Sequence, residues 1–172
     1  MTRTTIWFTG LPCSGKTTLA IALKEELGKR GCEAIHLDGD ILRSGINKDL
    51  GFSAKDRKEN LRRAAYLIKD MRSNGEIVIA SFVSPTNELR NMVKDILGSM
   101  WLVYVKCSLE ECKKRDVKGM YQKAERGEIK DFTGISAPFE EPNADLVIDT
   151  EHNNVQTCIK QILKMLNMNS GQ

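Results

Sequence analysis

The run Gly10-Leu11-Pro12-Cys13-Ser14-Gly15-Lys16-Thr17 constrains this chain more than any other feature. It fits GxxxxGK[ST] and lies between an apolar run, Ile6-Trp7-Phe8, and a stretch where Leu19, Leu23 and Leu27 recur at i, i+4 and i+8. Strand, glycine turn and helix in that order form the setting in which such a loop closes on phosphates. Glycines let successive N–H groups curl round phosphate oxygens, and the helix N-terminus adds its positive dipole end. The pattern implies a nucleoside triphosphate site, with Thr18 just inside the helix. Lys16 is expected at the β- and γ-phosphates and the Thr17 hydroxyl on Mg²⁺.

The rest of the chain repeats the alternation. Strands are expected at Ala34–Leu37, Ile77–Phe82, Trp101–Val105 and Leu146–Ile148. Helices are expected at Thr17–Lys29, from about Asp56 to Asn74, and at the end, where Val155, Ile159, Ile162, Leu163 and Leu166 share a stripe. Strands separated by helices of this length imply βαβ units: an α/β P-loop fold whose central parallel sheet of about five strands is flanked by helices. One domain is expected over 1–172, with a short polar tail at 167–172. Ligands of such sheets sit at the strand carboxyl ends, and each distinctive polar cluster here follows a strand.

Composition removes several alternatives. With 26 Lys+Arg against 23 Asp+Glu the net charge is +3, too mild for a nucleic-acid binder. No apolar run is long enough to span a bilayer, and the first residues lack the apolar core of a signal peptide. The five cysteines form no CxxC pair and His36 and His152 complete no zinc ligand set, so reduced thiols in a cytoplasmic protein are expected. The absence of an NKxD-like signature and the modest size favour a small-metabolite kinase over a GTPase or motor.

Asp38-Gly39-Asp40 closes the second expected strand. Two carboxylates beside an ATP·Mg²⁺ site can orient a metal-bound water and accept a proton from an attacking hydroxyl. The stretch Leu37-Asp38-Gly39-Asp40-Ile41-Leu42-Arg43-Ser44-Gly45-Ile46-Asn47-Lys48-Asp49-Leu50-Gly51-Phe52-Ser53, followed by Asp56-Arg57-Lys58-Glu59-Asn60-Leu61-Arg62-Arg63, resembles the acceptor region of adenylylsulfate kinases. So do Ser81-Phe82-Val83-Ser84-Pro85, Arg115-Asp116-Val117-Lys118-Gly119-Met120-Tyr121, Gly127-Glu128-Ile129-Lys130, Phe132-Thr133-Gly134-Ile135 and Phe139-Glu140-Glu141-Pro142. The resemblance runs in order from about Ile6 to Thr150.

The resemblance implies transfer of the ATP γ-phosphate to the 3′-hydroxyl of adenosine 5′-phosphosulfate, with Lys16, Asp38, Asp40 and Ser84 in the catalytic set. Thr17 and Asp38 would hold the metal, while Asp38 and Asp40 share the water-orienting and base roles between them. Ser84, described for some relatives as a phosphorylated intermediate, would line the site, since in-line transfer between two clamped nucleotides needs no covalent step. Phe52 and Phe132 would sandwich the acceptor base. Arg43 and Arg57 suit the phosphosulfate oxygens by forked hydrogen bonds. Asn47, Asn60, Val83 and Lys118 complete the acceptor set, and Arg115 and Val155 would face the ATP adenine. A mobile lid is expected from about Arg115 to Phe139, and a homodimer.

Four departures from the family pattern stand out. Cys13 replaces a usual glycine, which the loop tolerates only if its φ is negative. Ile41 stands in place of Asn, Asp131 in place of a common glycine, and the segment from Pro85 to Trp101 is short, with Thr86 at an often aromatic position. A second reading is a sister kinase on the same scaffold acting on another nucleotide, such as cytidine diphosphoramidate. A third is a nucleotide-binding regulator without turnover.

Overall fold

The computed structural model describes residues 5–168, so 169–172 of the expected polar tail lie outside the described residues. Strands β1 (Thr5–Thr9), β2 (Ala34–Asp38), β3 (Ile77–Ser81), β4 (Trp101–Lys106) and β5 (Leu146–Asp149) form one parallel sheet in the order β2-β3-β1-β4-β5. The register sets Phe8 between Ser81 and Val103, so β1 is central and buried along its whole length. Helices are α1 (Lys16–Lys29), α2 (Gly39–Ser44), α3 (Ala54–Ser73), α4 (Asn87–Leu97), α5 (Leu109–Arg115), α6 (Met120–Glu125) and α7 (Val155–Met165).

Strand alternation divides the core in two. Ile6 and Phe8 point to the face covered by α1 and α7, with Leu19, Leu23, Leu27, Ile159 and Ile162. Trp7 points to the opposite face, with Leu61, Ala64, Ala65 and Ile68 of α3 and Leu89, Val93 and Leu97 of α4. The small Ala64 and Ala65 let α3 lie close against the sheet, and Trp7 fills the space by stacking on Phe82 at 4.8 Å.

Four helices, α2, α4, α5 and α6, lie outside the three expected from sequence periodicity. Asp38 does not merely end β2; its carboxylate caps α2 by accepting from Asp40 N at 2.9 Å. Thr86 caps α4, accepting from Leu89 N at 3.3 Å, which gives that residue a structural task an aromatic side chain could not perform. The apolar face of α4 is Leu89, Val93 and Leu97 with Met92 and Ile96 beside them, interleaved with the charged Glu88, Arg90, Lys94 and Asp95.

Trp7 ties packing to the site, because its indole Nε1 donates to Ser84 Oγ at 3.1 Å. Trp7→Phe is expected to cost about 2 kcal/mol through a lost buried hydrogen bond and a residual cavity. A lowered urea midpoint with an unchanged slope is the result to look for.

Candidate active site

The phosphate loop follows directly from β1. A Cβ on Gly10 would stand 2.5 Å from Val105 O, so only glycine fits where the loop crosses β4. Gly15, at φ 101°, delivers the chain into α1. The expected negative φ at Cys13 is not found: it is 64°. The curl itself demands a left-handed residue there, which explains the usual glycine, and a non-glycine residue carries a strain of about 1–2 kcal/mol. The Cys13 side chain packs against the buried cluster of Cys107, Cys112 and Tyr121.

Lys16 folds back over the loop, donating from Nζ to Gly10 O at 2.9 Å and Leu11 O at 2.7 Å. Burial lowers its pKa from 10.5 to about 8, opposed by Cys112 and then by Asp38 and Asp40. Thr17 Oγ1 donates to Asp38 Oδ2 at 2.7 Å, which joins the start of α1 to the end of β2. That pair of oxygens suits a hard, oxygen-preferring divalent cation. No cluster of three or more His, Cys, Asp or Glu side chains arranged for a metal exists among the described residues. Thr18 is exposed on the first turn of α1.

The two aspartates have different surroundings. Asp38 is 8% exposed with both oxygens engaged. The Asp40 side chain is 77% exposed and faces Lys118 Nζ at 3.2 Å, which brings the segment after α5 to the end of β2.

Beyond α2, a basic and aromatic cluster is drawn together by backbone contacts. Arg43 donates to Gly51 O at 2.7 Å and lies over the Phe52 ring at 4.5 Å from its centroid. Arg57 donates to Phe52 O at 2.9 Å, to Thr133 Oγ1 at 2.7 Å and to Asp131 O. Burial lowers the pKa of Arg43, and the neighbouring Arg57 guanidinium lowers it further. Burial also lowers that of Arg57, against the opposing charge of Asp131. Two adjacent guanidiniums, neither hydrogen-bonded to a carboxylate among the described residues, suit an anion. Arg62 and Arg63 instead pair with Glu59 and Asp49 on the outer face of α3.

Phe52 and Phe132 sit on the two segments that Arg57 bridges. Phe52 is about half exposed, at 53%, whereas Phe132 meets the edge of Tyr121 at 5.0 Å. Asp131 has φ 54°, so the residue that breaks the family pattern occupies a left-handed position that suits glycine, and Asp tolerates it better than most. Asn47 and Asn60 are both buried and bonded to each other, Nδ2 of Asn47 to Oδ1 of Asn60, at 3.0 Å.

Ser84, at φ 39° and 2% exposed, holds its hydroxyl inside the protein. Its Oγ accepts from Trp7 and donates toward Thr9 Oγ1 at 3.0 Å. Val83 O accepts from Thr9 Oγ1 at 2.7 Å, so the ends of β1 and β3 fix this turn together.

Sequence reasoning missed Arg90, Thr150 and Tyr121. Arg90 is 2% exposed and donates to Ser84 O at 2.6 Å and Glu140 O at 2.7 Å. It thereby clamps the turn after β3 to the end of the expected lid. Thr150 Oγ1 donates to Ser14 O at 2.6 Å, and Arg115 donates to Thr150 O at 2.8 Å. Tyr121 donates to Pro12 O at 2.7 Å. Thr150 was discoverable as a polar residue just beyond a strand; Arg90 looks like any helix-surface charge. Arg115 thus lies beside the phosphate loop, and Val155 opens α7, 38% exposed.

The described residues contain no helix long and apolar enough to cross a membrane. The family model "Adenylylsulphate kinase" matches residues 2–149. An adenylyl-sulfate kinase of Bacteroides thetaiotaomicron is 52% identical over 94% of this chain and 82% of its own length. One of Staphylococcus epidermidis is 48% identical over the same shares. The chain also superposes on the APS kinase of Mycobacterium tuberculosis, solved with AMPPNP and APS, with a TM-score of 0.92 and 37% identity over 95% of this chain and 96% of that one.

Lys16 gives a pH prediction. The unfolded chain keeps this proton up to 10.5 and the folded chain only up to about 8. Between these values the group's contribution to stability rises with pH, while the cation that phosphates need is lost. Calorimetric ADP affinity is expected to fall by about tenfold per pH unit above about pH 8. Lys16→Met should bind weakly with no such dependence.

Proposed function

The chain belongs to the adenylylsulfate kinase family, and we propose that it transfers the γ-phosphoryl group of ATP to the 3′-hydroxyl of adenosine 5′-phosphosulfate. The products are ADP and the 3′-phosphorylated sulfuryl donor. The observation that carries this reading is the meeting of two differently built sites at one sheet edge: the phosphate loop with Lys16, and the Arg43–Phe52–Arg57 pocket, joined through Thr17, Asp38 and Asp40.

In the proposed reaction the 3′-oxygen forms a bond to the γ-phosphorus as the bond to the β,γ-bridging oxygen breaks. Asp40 takes the hydroxyl proton, supported by its exposed carboxylate, whereas both oxygens of Asp38 already accept hydrogen bonds. Lys16 and the loop N–H groups hold the charge that builds on the leaving phosphate. A magnesium ion held by Thr17 and Asp38 would neutralise β- and γ-phosphate oxygens. Arg43 and Arg57 grip the phosphosulfate, and Phe52 offers its face to the base. Ser84 shapes the pocket through its backbone, since its hydroxyl is committed to Trp7 and Thr9. Closure of the segment from Arg115 to Phe139 would exclude water. A cytoplasmic homodimer is the expected working form.

Turnover with adenosine phosphosulfate and none with cytidine diphosphoramidate is the expected outcome of a paired acceptor assay; the reverse preference would sink the proposal. Arg57→Ala should raise the acceptor KM by about tenfold or more, with a smaller effect on the ATP KM; equal effects would misplace the pocket. Asp131→Asn keeps a residue tolerant of positive φ and removes a negative charge, so the acceptor KM should fall while the melting temperature holds.

A further inference from the structure

The Asn47–Asn60 contact contains an asymmetry that packing alone does not explain. Asn47 is 1% exposed and its backbone is fixed on both sides, its N–H donating to Leu42 O at 2.9 Å and its carbonyl accepting from Leu50 N at 3.0 Å. Its side chain spends Nδ2 on Asn60 Oδ1 and leaves its own Oδ1 buried with no partner. A buried acceptor without a partner is unfavourable and calls for a reason. Among the described residues the Nδ2 of Asn60 has no hydrogen-bond acceptor, and it is not one of the fully buried unpartnered atoms. It is therefore a donor kept available. Asn60 lies one turn after Arg57 on the same face of α3, beside two guanidiniums that demand an anionic partner.

We infer that Asn47 is a positioning residue for the acceptor: by donating to Asn60 Oδ1 it turns the Asn60 NH₂ toward the anionic oxygens that Arg43 and Arg57 face. An amide free to rotate would present its oxygen to the same anion for part of the time, and that oxygen repels it. Asn47 fixes the choice, with its unpartnered Oδ1 as the cost. The inference rests on the acceptor pocket proposed above and assigns Asn47 a task at one remove from the substrate.

A double-mutant cycle on the full chain tests it, with initial rates measured against adenosine phosphosulfate and against ATP. Asn47→Ala is expected to raise the acceptor KM about tenfold, the size of one hydrogen bond to a charged group, with the ATP KM unchanged. Asn60→Ala should do at least as much, and the double variant should be no worse than Asn60→Ala alone. Multiplying effects would overturn the inference, because a purely structural loss adds to the other. Asn47→Ser and Asn47→Asp give a second reading with polar side chains at the same place. The serine hydroxyl is a donor one bond shorter than the amide, so its acceptor KM should lie between those of the unsubstituted chain and Asn47→Ala. The aspartate accepts from Asn60 Nδ2 and turns the amide the wrong way, so its KM should exceed that of the serine variant. Equal values for the two would overturn the assignment. An unsubstituted chain inactive on this acceptor would overturn the proposed function itself, whereas an active one with multiplying effects removes only the role of Asn47.

Discussion

A buried ammonium group bound to two backbone carbonyls of its own loop organises this molecule. Lys16 Nζ holds Gly10 O and Leu11 O together, closing the loop that leads from β1 into α1. Burial makes the charge expensive, and an arriving polyphosphate is the natural partner to offset it. Everything else in the site is arranged around that loop: Tyr121 on Pro12 O, Thr150 on Ser14 O, Asp38 on Thr17. Each contact comes from a different strand end or from the segment after β4.

The proposed acceptor half is built by another device. Between α5 and β5 the chain has one short helix and otherwise irregular backbone, so few ladder hydrogen bonds are available to hold it. Arginines supply them instead. Arg57 bonds the carbonyls of Phe52 and Asp131, and Arg90 those of Ser84 and Glu140. A guanidinium has five donors in a fixed plane, which lets one side chain join two segments far apart in sequence. Those joints set the distance between the aromatic and cationic groups of the pocket and the phosphate loop. They also leave a segment attached by a few side chains, which is easier to open than one attached by a sheet.

Strand identities were legible because buried parallel strands read as short apolar runs. The α4 helix went unread although Leu89, Met92, Val93, Ile96 and Leu97 repeat at helical spacing, and its cap, Thr86, is of a type common in loops as well. Asp38 showed its chemistry in the sequence but concealed its structural role: the same carboxylate caps α2 and meets Thr17. Cys13 and Asp131 were visible as departures, yet only backbone angles reveal that both sit at positive φ. Asn47 was expected at the acceptor, and only the structure shows it buried and donating to Asn60. Arg90 gave no signal, because its value lies in carbonyls six and fifty residues away.

By itself the sequence determined which chemistry was possible. Gly10, Gly15, Lys16 and Thr17 dictate a phosphate loop through local backbone geometry, and local geometry is written in adjacent residues. The alternation of apolar runs with helical periods fixed a parallel sheet, whose strand ends must gather polar residues on one edge. Tertiary structure decided which side chain meets which. Asp38 faces inward and Asp40 outward, Ser84 is tied to Trp7, and Arg57 spans from α3 to Thr133. Those choices come from non-local contacts across the sheet and the irregular segment, where position depends on packing that no short window of sequence contains.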